Sequence, residues 1–278
     1  MEDSYRPRKV PLMSTYELPN EVTKEIDKIS MVAGYLWQRE WVERNGGNIS
    51  INMTPLFSNF TKPESANFIA HPFPKEAAGL YIFVTGAGCY IRSLIDAVET
   101  ASCILYINEQ ADGYTIVWGG KEDGFRPTSE LASHLQIHLF NKENNPNNLA
   151  VLHAHPIELI VLSHHALFKD EEKLNHAIWQ MCPEVRVYVP RGIHCTPYAI
   201  TQSDELAKST THAFTYKDIA LWEKHGATTT AEDIEKAWDF LDVANKGAKL
   251  LLTAWASGFE PEGLSKDQLQ GLEELFKL

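Results

Sequence analysis

Along the chain the apolar positions change period several times, and each change predicts an element. Between residues 20 and 43, Ile26, Ile29, Val32, Ala33, Leu36 and Trp37 recur at helical spacing, with Asn20 as cap and "NGG" at 45–47 as stop. "NISINM" then alternates as a strand. Residues 55–79, rich in Pro, Ser and Asn, read as a long loop-like insertion. "LYIFVTGAG" (80–88) is a buried strand ending in a glycine turn, and "CILYIN" and "YTIVWG" flank "EQADG" as an antiparallel hairpin. A helix is expected from about Thr128 to Asn141, then a strand at "LAVLHAH" and a helix from Pro156. "EVRVYVP" reads as a further strand, and 231–256 as a long amphipathic helix with Ile234, Trp238, Leu241 and Leu252 inward. Strands and helices interleave without a repeat or linker, so residues 1–278 are expected to form one mixed α/β domain.

Composition narrows the function. With 278 residues and 44% hydrophobic content, the chain can bury a sizeable core. A formal charge of −12 and the lack of a Lys/Arg run argue against a nucleic-acid or anionic-membrane partner. Small phosphorylated ligands remain open, because backbone N–H groups bind those. The four cysteines, Cys89, Cys103, Cys182 and Cys195, make no CxxC pair, which fits a reducing compartment. No apolar run approaches a membrane span and the N-terminal stretch has no signal-peptide core, so a cytoplasmic protein is expected.

Histidines carry the candidate chemistry. "AVLHAHPIELIVLSHH" (150–165) holds four of them. Strand residues i and i+2 share a face, so His153 and His155 stand side by side at the end of their strand. They make either two satisfied imidazoles or two ligands of a metal that needs a third. His225, in "LWEKHGATT", is the candidate third ligand, with a glycine beside it to allow close approach. His164 and His165, adjacent on a helix, point about 100° apart and chelate poorly. Glu130, His134 and His138 lie on one helical stripe, too long to share one ion; a histidine pair there could chelate, or the stripe could be a solvated or interfacial face. Thr128, Ser129 and Glu130 in "PTSEL" serve equally as a helix cap or as an anion site with an adjacent base. "NGGN" and "TGAG" are likewise either turns or backbone cradles for phosphate.

In the order NGGN, TGxG, PTSEL, HxH and WxxHG, these motifs resemble the zinc-dependent class II aldolase/epimerase family acting on sugar phosphates. The resemblance runs from "EWVERNGGNIS" to "LWEKHGATTTAED" and continues less distinctly to the C-terminus. It implies a three-layer α/β/α domain with a mixed, largely antiparallel central sheet. It implies one Zn2+ per chain on His153, His155 and His225, with Glu130 as acid/base beside the metal. Asn45, Asn48, Gly86, Gly88, Thr128 and Ser129 would bind the substrate and its phosphate. A fourfold-symmetric homotetramer follows from the same resemblance.

The long segment between "NISINM" and "LYIFVTG" favours the branch acting on L-rhamnulose 1-phosphate. The expected reaction is therefore retro-aldol cleavage to dihydroxyacetone phosphate and L-lactaldehyde. L-fuculose 1-phosphate or L-ribulose 5-phosphate are alternative substrates, and a non-catalytic scaffold of the same fold is the alternative class. Three neutral imidazoles leave a divalent ion its full charge and an open position, which suits a Lewis acid stabilising carbanionic charge beside a carbonyl. Two positions depart from the family pattern. Ala87 stands where a serine is usual in TGxG, and Gln180 where the rhamnulose branch has a glutamate, with Glu184 one turn on.

Overall fold

A computed structural model describes residues 18–58, 68–201 and 203–278. Helix α1 (Asn20–Gln38) buries Val22, Ile26, Ile29, Val32, Ala33 and Leu36. Pro19 takes the cap position, so Asn20 is the first helical residue rather than the expected cap. The helix also closes before "NGG". Glu40 adopts φ 61°, and the N–H groups of Glu40 and Trp41 return to the carbonyls of Trp37 and Leu36, a Schellman closure.

The chain continues as β1 (Asn48–Asn52), β2 (Phe68–Ala70), β3 (Tyr81–Thr85), α2 (Val98–Ala101), β4 (Ser102–Ile107) and β5 (Gly113–Gly119). Next come α3 (Leu131–Asn144), β6 (Ala150–Ala154), α4 (Ile157–Ser163), α5 (Glu171–Trp179), α6 (Pro183–Tyr188) and β7 (Ile193–Thr196). The last elements are α7 (Asp204–Ala213), β8 (Ile219–Trp222), β9 (Gly226–Ala231), α8 (Ile234–Ala256) and α9 (Lys266–Phe276). The insertion expected over 55–79 contains a strand after all, β2; its residues 59–67 lie outside the described residues.

Among the described residues the strands form one sheet in the order β2-β5-β4-β3-β1-β6-β9-β8-β7. Every neighbouring pair is antiparallel except β7 and β8, which are parallel, so the sheet is mixed and largely antiparallel. Strand alternation divides its two faces. On one, Ile49, Ile51, Leu152 and Leu221 share a core with α1, α4, α5, α6 and α8. On the other, Leu135 and Ile137 of α3 and Leu206 of α7 cover Ile82, Val84, Val151 and Ala220. The expected three layers are present.

One predicted element changes type. "EVRVYV" is the helix α6, not a strand. Pro183 occupies its first turn, and Val185 and Val189, one helical turn apart, are both fully buried. Arg186 lies over the Trp179 ring and bonds the Pro190 carbonyl and Glu273, so its position between valines marks no outward strand face. The strand of this region is β7, which begins at Ile193. In α8 the inward residue of the last turns is Leu251, with Leu252 only partly buried.

Candidate active site

The site forms where β6 ends. His153 is paired with Thr228 of β9 and Ala154 with Ala227, so the start of β9 lies beside the end of β6. The tight turn from β8 to β9 therefore carries His225 to His153 in β6 and His155 just past its end. Lys224 in that turn has φ 61°, and the His225 N–H returns to the Trp222 carbonyl at 3.1 Å. The three imidazoles face one another, with ring centroids 5.2, 5.1 and 5.3 Å apart. Among the described residues they form a group whose donor atoms all lie within 4.8 Å of one another.

Two glycines make room for this triad. A Cβ on Gly226 would lie 2.7 Å from the His155 ring and 3.0 Å from that of His153. One on Gly46 would lie 2.9 Å from the His155 ring. "NGGN" is thus a wrap over the end of β6 as well as a turn; the Trp41 carbonyl just before it accepts the His155 N–H at 2.9 Å.

Hydrogen bonds orient the rings. His153 Nδ1 donates to the Ala227 carbonyl at 3.1 Å, and His155 Nδ1 donates to Glu43 Oε1 at 2.8 Å. Both partners are acceptors, so both Nε2 atoms are left as bare lone pairs for an electrophile. Trp222 stacks on His153 with centroids 4.4 Å apart. Burial, with the neighbouring imidazoles adding to it, holds the pKa of His153 well below the usual histidine value and lowers that of His225 to about 4. Neutral imidazoles with converging lone pairs fit a divalent ion of the transition series.

Glu130 sits at the N-cap of α3, against the same face of the sheet as His153. Asn48 is paired across the β1–β6 ladder with His153, and its side-chain N–H donates to Glu130 Oε2 at 3.1 Å. Burial raises the Glu130 pKa, opposed by the Asn48 hydrogen bond and by His155. A carboxyl group poised in this way beside a cluster of imidazoles suits proton transfer.

The remaining candidates fall into two groups. Helix α3 starts three residues later than expected, so Thr128 and Ser129 precede it; the Thr128 hydroxyl accepts the Glu130 N–H at 3.4 Å. The Thr128 N–H bonds the Thr85 carbonyl at 2.8 Å and the Ala87 N–H bonds the Arg126 carbonyl at 2.8 Å. These bonds tie "TGAG" and "PTSE" into one edge. Gly86 there has no room for a Cβ against Phe125 and Cys89, and Gly88 is left-handed at φ +74°. A cleft opens beside Gly88, lined also by Tyr90, Ser93 and Arg126. Asn45 is exposed on the turn before β1.

From the sequence, His134 and His138 lie on a stripe that is chelating, solvated or interfacial, whereas each is only 2% exposed and bonded to Ser50 within the chain. Glu43 was not foreseen, although a carboxylate two residues before "NGG" carried the signal, and Trp222 stood in WxxHG without a role. His165 lies just past the end of α4 and caps a short turn by accepting the Leu167 N–H. Gln180 bonds His176, lies against Gly263 and accepts the Leu264 N–H on its carbonyl at 2.9 Å, away from the triad of its own chain.

The model of the class II aldolase and adducin N-terminal domain family matches residues 27–252. The chain belongs to this family. A rhamnulose-1-phosphate aldolase of Bacteroides thetaiotaomicron is 34% identical over 264 residues, which are 92% of this chain and 96% of that protein. One of Mannheimia succiniciproducens is 30% identical, over 87% of this chain and 90% of that protein. In structure, a sugar-phosphate aldolase from Thermotoga maritima superposes with a TM-score of 0.72 at 28% identity, covering 88% of this chain and 100% of that one. Class II aldolases depend on a metal, and the histidine triad is the group here that could bind it.

Proposed function

We propose that this class II aldolase cleaves L-rhamnulose 1-phosphate to dihydroxyacetone phosphate and L-lactaldehyde. The observation that carries the reading is the triad of His153, His155 and His225 with Glu130 beside it, in a chain similar along most of its length to rhamnulose-1-phosphate aldolases. A scaffold of this fold needs none of the four. His153, His155 and His225 would hold the ion, zinc in this reading, at one per chain. When bound, it would supply Lewis-acid stabilisation of the negative charge that develops on the substrate's oxygens.

The chain's own groups do the rest. Breaking the C3–C4 bond requires the C4 hydroxyl to lose a proton while the bonding pair passes toward the C2 carbonyl. C3 must then gain a proton to give dihydroxyacetone phosphate. Glu130, whose carboxyl group interacts electrostatically with His155 of the triad, takes and returns that proton. Asn45, Asn48, Gly86, Gly88, Thr128 and Ser129 would hold the substrate and its phosphate. Support comes from the bonded edge joining "TGAG" to "PTSE", which holds the Thr128 and Ser129 hydroxyl residues beside the glycine turn. Ala87 removes one hydroxyl from that edge, at a cost of about 1 kcal/mol.

The family resemblance further supports a single domain over 1–278, a cytoplasmic setting and a homotetramer, which a mass measurement in solution tests directly. The substrate is tested by a coupled retro-aldol assay on L-rhamnulose 1-phosphate, L-fuculose 1-phosphate and L-ribulose 5-phosphate, with and without chelator. Chelator-sensitive preference for the first supports the reading; turnover of another substrate in preference, or none, overturns it.

A further inference from the structure

Two periodicities meet beneath the centre of the sheet. Along β1, Asn48 and Ser50 share a face, with about 6.7 Å between them. Along α3, Glu130 at the cap, His134 and His138 share a stripe, with about 6 Å between successive members. Because these spacings nearly match, the side chains interdigitate in the order Glu130, Asn48, His134, Ser50, His138. Asn48 bonds Glu130 at 3.1 Å and His134 at its Nε2. Ser50 Oγ bonds His134 Nδ1 at 2.7 Å and His138 Nε2 at 2.8 Å.

We propose that His134, Ser50 and His138 are positioning residues that, through Asn48, hold a one-way hydrogen-bond relay aimed at the Glu130 carboxylate. The inference rests on Glu130 being the proton-transfer group of the proposed reaction. The direction follows from donor accounting. An ionised carboxylate only accepts, so the Asn48 amide must turn its N–H toward Glu130 and its oxygen toward His134. His134 Nε2 must then carry the proton, leaving Nδ1 to accept the Ser50 O–H. Ser50 in turn accepts from His138 Nε2–H, which leaves His138 Nδ1 as a bare lone pair.

That atom is buried and has no partner among the described residues. A reversed relay would put an unpaired N–H there, the costlier orphan, and would need Glu130 protonated and the amide flipped. Burial, which lowers His134 to about 4 and His138 to about 3, keeps both rings in the neutral form that such a chain requires.

Two measurements test the relay. In the metal-loaded protein, 15N spectra of the histidines should show both His134 and His138 as Nε2–H tautomers; an Nδ1–H tautomer at His134 overturns the proposal without any variant having to fold. In parallel, Ser50→Ala should lower kcat on L-rhamnulose 1-phosphate about tenfold, the scale of weakening one charge-assisted hydrogen bond, with KM and metal content unchanged. Ser50→Thr, which keeps the hydroxyl, should restore it. Full kcat in folded, metal-loaded Ser50→Ala overturns the relay while leaving Glu130 its role. Full turnover in Glu130→Gln would remove the proton-transfer reading itself, and the relay with it.

Discussion

At the scale of single residues, the site depends on a few atoms in fixed positions. Glu130 is held by one N–H donor and raised in pKa by burial, so removing its charge should stop proton transfer without emptying the site. Glu130→Gln is expected to lose roughly 10²-fold or more in kcat while the metal and substrate still bind, as general acid/base losses do. Comparing turnover with titrated metal content checks this. Gly226 is the sharper structural test, because a Cβ there would also lie 2.6 Å from the Ala154 carbonyl. Gly226→Ala should fold but lose metal affinity, since backbone on one side and two imidazoles on the other leave no direction in which to relax. A variant with wild-type metal content would show that the rings have more freedom than their packing allows.

At the scale of elements, the pairing of α3 with β1 places a strip of polar groups inside an otherwise apolar layer. His134 and His138 titrate near 4 and 3 in the fold, against 6.5 for an unperturbed histidine. Around pH 6 the unfolded chain binds protons that the folded chain refuses. Stability from these rings is therefore complete above about 6.5 and lost as pH falls from there toward about 4. Glu130, raised rather than lowered, works in the opposite sense. Urea midpoints of the metal-free protein should fall between pH 7 and 5, and less steeply in His138→Leu.

Elements also mark how far the sequence could be read. The helical period of α1, the alternating Asn, Ser and Ile of β1, the apolar run of β6 and the hairpin of β4 and β5 stand in the chain as written, although helices cover both faces of these strands. "EVRVYV" misled because so short an alternation satisfies a strand while its first and last valines also fall one helical turn apart, and only packing decides which. β7 escaped notice because "IHCT" is a short edge strand with two partly buried members and no clear alternation.

At the scale of the whole molecule, a metal ion on the triad would tie the β6 end to the β8–β9 turn, so binding there should stabilise the fold. At a hundredfold excess over its Kd an ion adds about 2.7 kcal/mol, worth about 5 °C in Tm for a chain of this size. Chelation should lower the melting temperature by that order, and His155→Ala, which loses a ligand, should carry little metal and show no such drop. Equal chelator response in both proteins would count against the triad as the binding site.

What the sequence by itself determined is the chemistry on offer. "LHAH" puts two imidazoles on one face whatever the surroundings, and "PTSEL" puts a carboxylate at the start of a helix. The order of the motifs carried the family. The motif order nominated His225 as well, but only the tertiary structure brings it to the pair. His225 joins the pair because β9 runs antiparallel to β6 and brings its own beginning to the other's end, a pairing 70 residues apart that no local pattern encodes. His134 and His138 left the list of chelators for the same reason. On the sequence their stripe is a polar face, and only the sheet laid against it turns that face inward, where an unshared lone pair is costly and each ring needs a partner.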